Sequence, residues 1–244
     1  MNVDLINVMG SDLSVVNAAR VSYGKQSKVL NDKDIKLIGY LAKHNHWSPF
    51  SHTSLTFHIK APIFVARQLG KHQVGLSWNE ISRRYVDYEP EFYEPREWRD
   101  RPTDSKQGSG GKSASQYFPN LYLKDVTDLA KENYRKMIIQ GVAPEMARMI
   151  LPQNMYTEWY WTGSLYAFAR VCKLRLAHDT QFETRVIANE IRGYCSENFK
   201  NSWKALMADV DLSEYTSGTR MDDNYDLAFS YVQYFSDKLG DTKE

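Results

Sequence analysis

The chain has 244 residues, enough for one domain or a compact pair around a substantial core. Its 31 Lys and Arg nearly balance 30 Asp and Glu, so a net charge of +1 does not advertise nucleic-acid binding, and 16 Tyr with 6 Trp exclude a disordered polymer. No apolar run approaches the ~20 residues of a membrane span. The N-terminal text lacks a basic-then-apolar leader, and two cysteines, Cys172 and Cys195, exclude a disulfide framework and point to a reducing compartment, the cytoplasm.

In chain order, residues 2–9 carry alternating Val3, Leu5 and Val8 and read as a short strand. Ser11 or Asp12 caps a helix with Leu13, Val15, Val16 and Ala19 inward, ending near Gly24, so Ser22 is a helix-end hydroxyl. Residues 32–45 form an amphipathic helix with Ile35, Ile38, Leu41 and Ala42 inward and Asp32 and Asp34 near its positive end. His44, His46 and His52 follow, with Ser48 and Ser51 among them. They lack HExxH spacing and neighbouring acids or cysteines, so no metal is expected. Residues 53–60 alternate Leu55, Phe57 and Ile59 with polar partners and read as a strand.

That strand runs into a helix opened by Pro62 and Ile63. Gln68, Lys71 and His72 are three and four positions apart and are expected on one face, with Gly75 ending the helix. The following text, Ser77, Asn79, Glu80, Ser82, Arg83 and Arg84, reads as a polar loop anchored by Trp78, Ile81 and Tyr85. A cationic helix end before a loop of hydroxyls and guanidiniums suits a phosphate, because Arg binds it bidentately and Ser completes the shell.

Residues 94–118 are rich in Arg, Gly and Ser and read as a mobile surface loop. Gly111-Lys112-Ser113 within it lacks the upstream glycine and strand of a phosphate loop. Residues 121–140 form a helix with Leu123, Val126, Leu129, Ala130, Tyr134, Met137 and Ile138 inward, closed by Gly141. Pro144 starts a short helix containing Arg148, stopped by Pro152. Residues 156–162 are aromatic and extended. Gly163 opens a helix from Ser164 to Ala177, which carries Tyr166, Arg170 and Arg175, and His178 follows. Thr180 restarts a helix to about Phe199. Residues 209–244 hold nine acids and three bases, leaving a net +7 on residues 1–208, and Leu227 to Phe235 have the pattern of a short docking helix.

Lys71-His72-Gln73 followed by Ser77-Trp78-Asn79-Glu80-Ile81-Ser82-Arg83-Arg84-Tyr85 resembles the signature of flavin-dependent thymidylate synthases, R-H-R followed by seven residues and Ser, read on as S-x-N-E-x-S-x-R-Y. Lys and Gln stand where the two arginines are usual, and eight residues rather than seven separate Gln73 from Ser82. Ala147-Arg148-Met149-Ile150-Leu151-Pro152 resembles the family's A-R-x-x-L-P segment. Leu174-Arg175 with His178 and Gln181-Phe182-Glu183 resembles its L-R-x-x-x-H-x-Q-x-E, the histidine standing one place early.

The resemblance implies an α+β fold, a small antiparallel sheet with long helices, assembled as a homotetramer with shared sites. It implies a domain over residues 1–208 followed by an acidic extension, 209–244. It implies conversion of dUMP to dTMP, with methylenetetrahydrofolate as carbon donor, FAD as cofactor and NADPH as reductant. The dUMP ligands it implies are Gln68, Lys71, Asn79, Glu80, Ser82, Arg83, Arg84, Arg148 and Arg175, with Arg175 catalytic. The FAD ligands it implies are Ser22, His46, Ser48, Lys71, His72, Gln73, Glu80, Ser164, Tyr166, Arg170 and His178. Neither a nucleic-acid nor a membrane partner is implied. Two other readings compete: a nucleic-acid-binding module using the basic loop, and a nucleotide- or flavin-binding relative without methylation, motivated by Lys71 and Gln73.

Overall fold

The computed structural model describes residues 1–103 and 106–211. The docking-helix pattern at Leu227 to Phe235 lies outside the described residues.

Four strands, β1 (Asn2–Met9), β2 (Ser54–Pro62), β3 (Leu76–Glu80) and β4 (Tyr156–Ser164), form one antiparallel sheet in the order β1-β2-β4-β3. Period-two alternation buries Leu55, Phe57, Ile59 and Ala61 of β2 and Thr157, Trp159, Trp161 and Gly163 of β4. Phe168 of α6 (Leu165–Arg175) packs edge-on against both Phe57, at 5.0 Å, and Trp161, at 5.4 Å. Ile187 and Ile191 of α7 (Phe182–Asn198) are fully buried in the same core.

At the N-terminal end, α1 (Asp12–Arg20) and α2 (Asp32–Lys43) pack with α8 (Lys200–Leu206). The Asp12 carboxylate accepts from the Asn201 and Ser202 amides, both at 2.9 Å, so one residue caps a helix 189 positions away. Within α2, Ile38 and Leu41 are buried as expected, whereas Ile35 lies on the exposed side.

Three segments depart from the sequence reading. First, α3 (Ile63–Leu69) stops early: the Gly70 N–H closes it onto the Ala66 carbonyl at 2.8 Å. Gly75 instead takes φ 77° in the turn into β3. Second, Leu76–Glu80 is an edge strand and not a loop. Third, Gly163 is the penultimate residue of β4 and Ser164 caps α6. A Cβ on Gly163 would lie 2.3 Å from Leu76 Cδ2, so its bareness lets β3 close against β4.

The long α4 (Tyr117–Ile139) buries Thr127, Ala130 and Tyr134 but exposes Val126 and Leu129, which were expected inward. It leads to α5 (Pro144–Ala147) and a 3₁₀ turn, Arg148–Ile150. No helix among the described residues is long and apolar enough to cross a membrane.

Candidate active site

Because α3 is only seven residues long, Gln68 lies on its last turn while Lys71 and His72 lie beyond it. They do not share one helix face. A side chain from the end of α6 brings the segment together: Arg175 Nε donates to His72 Nε2 at 2.9 Å, and its Nη2 reaches the Gln68 carbonyl at 3.4 Å. Burial first, then the Arg175 and Arg170 charges, push His72 down to about 4, so it is neutral at pH 7. Since Nε2 accepts, the ring proton sits on Nδ1.

The Gln68 side chain points into a second network. Its Nε2 donates to Gln181 Oε1, and its Oε1 accepts from Thr184 Oγ1 at 3.1 Å. Gln181 Nε2 donates to Glu183 Oε2 at 3.2 Å. The other Glu183 oxygen accepts from Arg99 Nη2 at 2.5 Å and from the Tyr93 hydroxyl at 3.3 Å. A cleft of about 510 Å³ opens here, lined by Phe64, Arg67, Gln68, Tyr93, Trp98 and Arg99 among others. The 94–118 segment, expected as a mobile surface loop, is anchored to this wall by Arg99. It is also tied to α4 by Trp98 Nε1 donating to Asn120 at 2.7 Å.

The loop expected to suit a phosphate follows β3. Ser82 Oγ accepts from the Arg84 amide at 3.3 Å and Arg84 Nε at 3.2 Å, and Arg84 is otherwise exposed. Its neighbour Arg83, only 7% exposed, donates to the Tyr88 carbonyl and lies over the Tyr88 and Tyr134 rings at 4.6 and 5.8 Å. That guanidinium, expected as a dUMP ligand, is taken up by the protein itself. Both Glu80 oxygens accept hydrogen bonds, from Thr157 at 2.6 Å and Trp78 at 3.2 Å, while Asn79 is exposed. Arg148 is exposed, its Nε 3.3 Å from the Glu145 carbonyl, and makes no described contact with Ser82 or Arg84.

Of the residues expected at a flavin, Ser22, His46, Ser48, Lys71, Gln73, Arg170 and His178 are exposed, and Tyr166 is partly buried, 6.3 Å from the Trp47 ring. Ser164 Oγ accepts from the Ala167 amide at 3.2 Å, a capping role. The His178 carbonyl accepts from Arg185 at 3.2 Å. The His46 ring lies near Tyr40, at 6.0 Å.

A family model described as "Thymidylate synthase complementing protein" matches residues 4–199. A flavin-dependent thymidylate synthase of Thermus thermophilus is 44% identical over 219 residues, covering 90% of this chain and 80% of that protein. The chain belongs to the flavin-dependent thymidylate synthase family. These are methyltransferases. The Thermosipho africanus flavin-dependent thymidylate synthase is 38% identical over 207 residues, covering 83% and 89% of the two chains. A crystal structure of a UMP/dUMP methylase, PolB, from Streptomyces cacaoi bound with 5-Br dUMP superposes with a TM-score of 0.76 at 30% identity, covering 85% of this chain and 94% of that one.

For a flavin-dependent thymidylate synthase the cysteines are informative. Cys172 and Cys195 are free and fully buried, and burial pushes the Cys172 thiol up to about 12 and Cys195 well above its ordinary value. Neither is a nucleophile at neutral pH. Sequence reasoning assigned no role to Arg99, Glu183, Tyr93 or Thr184. The only signal was Gln181-Phe182-Glu183 in the family-like segment, because Arg99 and Glu183 are 84 residues apart.

Proposed function

We propose that this chain converts dUMP to dTMP, taking the carbon from methylenetetrahydrofolate and using FAD with NADPH as reductant. The reading places this activity in the cytoplasm, in a homotetramer whose protomers each have a catalytic domain, residues 1–208, and an acidic extension, 209–244. One observation carries the reading: Arg175 is fixed by His72 and Gln68 on a chain with no usable cysteine. Activating uracil without a thiolate needs a held cation beside the ring, and Arg175 supplies it, stabilising negative charge as it develops.

The phosphate falls to Ser82, Arg84, Gln68 and Arg148. Arg84 and Arg148 are exposed guanidiniums without carboxylate partners among the described residues, as anion ligands should be before binding. Asn79 and Glu80, at the end of β3, are the further dUMP ligands of this reading. The donor set also fits a flavin. Lys71 and Arg170 are exposed cations without a carboxylate partner among the described residues, His72 presents Nδ1–H, and Trp47 and Tyr166 offer aromatic surface. His46, Ser48, Gln73 and Ser22 complete that shell. Bound FAD supplies the hydride and the carriage of the carbon unit. Lys71 gives charge but no planar fork, so flavin contacts differ from those of an arginine.

Assembly is supported by α4. Tyr117, Phe118, Tyr122, Val126 and Leu129 are all more than half exposed, and a groove of about 600 Å³ lined by Val126, Leu129, Met137 and Ile150 runs beside them. So much apolar surface is expected to meet another copy. On this reading Arg148, in the same 3₁₀ turn as Ile150, serves a neighbour's Ser82 and Arg84.

The test is direct. Purified protein should show flavin absorption bands, and adding dUMP with methylenetetrahydrofolate should drive NADPH oxidation with dTMP formed. A colourless protein, or a flavoprotein indifferent to dUMP, overturns the reading. Salt-sensitive DNA binding by a colourless protein would favour the nucleic-acid module instead.

A further inference from the structure

The network behind Gln68 has a direction. Glu183 is nearly buried, and one of its oxygens is taken up by Arg99 and Tyr93. Its other oxygen only accepts, so Gln181 must turn its NH₂ toward it. The Gln181 oxygen then faces Gln68, which must answer with its own NH₂, while Thr184 donates to the Gln68 oxygen. Two freely flippable carboxamides are thereby set by one carboxylate. Among the described residues the second N–H of Gln68 has no acceptor and can donate. A flipped amide would turn oxygen lone pairs toward an anionic ligand.

We propose that Glu183 is a positioning residue for substrate binding: through Gln181 it fixes the Gln68 carboxamide as a donor to the nucleotide. Arg99, from the 94–118 segment, holds Glu183 in place. The proposal rests on the reading that Gln68 meets dUMP. It gives Gln181, Glu183, Thr184 and Arg99 a role without contact with substrate.

The test measures KM for dUMP, kcat and bound flavin in the FAD-loaded protein. Glu183→Gln keeps the shape but can donate as well as accept, so it no longer dictates the amides. It should raise KM for dUMP about tenfold, roughly the value of one charge-assisted hydrogen bond. Bound flavin should be unchanged and kcat should change less than about twofold, the pattern of lost uniform binding. Added to Gln68→Ala, it should raise KM no further, because the two act as one unit. Thr184→Val, which removes only the hydroxyl from a buried isostere, should raise KM similarly, and Thr184→Ser should restore it. These two variants decide the matter if Glu183→Gln does not fold.

An unchanged KM in Glu183→Gln or Thr184→Val, or effects that multiply with Gln68→Ala, overturns the relay. If Gln68→Ala itself leaves KM at the wild-type value, the substrate role of Gln68 has failed, and the relay with it. That outcome is distinct from a relay that fails while Gln68→Ala still weakens dUMP.

Discussion

Around Gln68 and Arg175, side chains from α3, α6, α7 and the 94–118 segment hold one another within a single chain. Around Ser82, Arg84 and Arg148 the side chains bond, among the described residues, to near neighbours in sequence, and both arginines are exposed. The first half bears its ordering cost when the protein folds, so its geometry exists before substrate arrives. The second half is a set of exposed cations with little cross-bracing. On the proposed reading it becomes a site when an anion binds and when a second subunit supplies Arg148. The contrast suits a division of labour. Charge stabilisation at the reacting ring needs fixed groups, and of the proposed phosphate ligands only Gln68 is braced in this way, whereas Ser82, Arg84 and Arg148 are left to order around the anion.

The sharpest way to break this comparison is Arg175→Ala. Removing a held cation where charge develops should lower kcat about 10²- to 10³-fold, with far less change in KM for dUMP. Steady-state kinetics checks this, and an effect confined to KM would move Arg175 into the phosphate-gripping half.

The next test addresses the open half. Ser82→Ala and Arg148→Ala should each lose most activity through KM. Mixed and reassembled, the two inactive proteins should recover about a quarter of wild-type activity, because random reassortment leaves that share of sites intact if the residues come from different chains. No recovery on mixing would place both residues in one protomer's site.

Adjacent arginines sharpen the comparison further. Arg83 is buried against two rings and a carbonyl, whereas Arg84 is exposed beside Ser82. Arg83→Ala should destabilise the fold by about 2 kcal/mol, through a lost charged hydrogen bond and lost stacking, and lower the Tm by several degrees. Arg84→Ala should leave Tm unchanged and weaken dUMP binding. Thermal melts beside substrate titrations separate the two.

These arginines also show what a sequence can reveal. Leu55, Phe57 and Ile59 alternate because β2 has one buried face, and Asp32 and Asp34 lie in the first turn of α2, so those elements were legible. β3 was not, because an edge strand with exposed Ser77, Asn79 and Glu80 has the composition of a loop. The extent of α3 misled because Gln68, Lys71 and His72 keep helical spacing past the residue where the helix closes. Val126 and Leu129 were read as inward because apolar periodicity reports a face to be covered without saying by which chain. The motif residues Arg175, Ser82 and Arg84 could be named from the text. The Arg99–Glu183 contact could not, since nothing local in either segment refers to the other.

The smallest expected effect tests whether the enclosed half is held by a neutral imidazole. The ordinary His value of 6.5 falls to about 4 at His72, through burial and then through Arg175 and Arg170. Between about pH 6.5 and pH 4 the unfolded chain binds a proton that the folded chain refuses. Unfolding then takes up protons, so this contribution to stability is full above pH 6.5 and is lost as pH falls toward 4. Carboxylates also titrate in this range, so the informative quantity is the difference between the wild-type protein and His72→Asn. Urea midpoints measured at pH 7.5, 6.0 and 4.5 should fall more steeply for the wild type, and parallel curves would mean that His72 is solvated and charged. Activity should follow the same ionisation if Arg175 has its proposed role, because a proton on Nε2 removes the acceptor for Arg175 Nε and sets two cations against each other, so the guanidinium is no longer held.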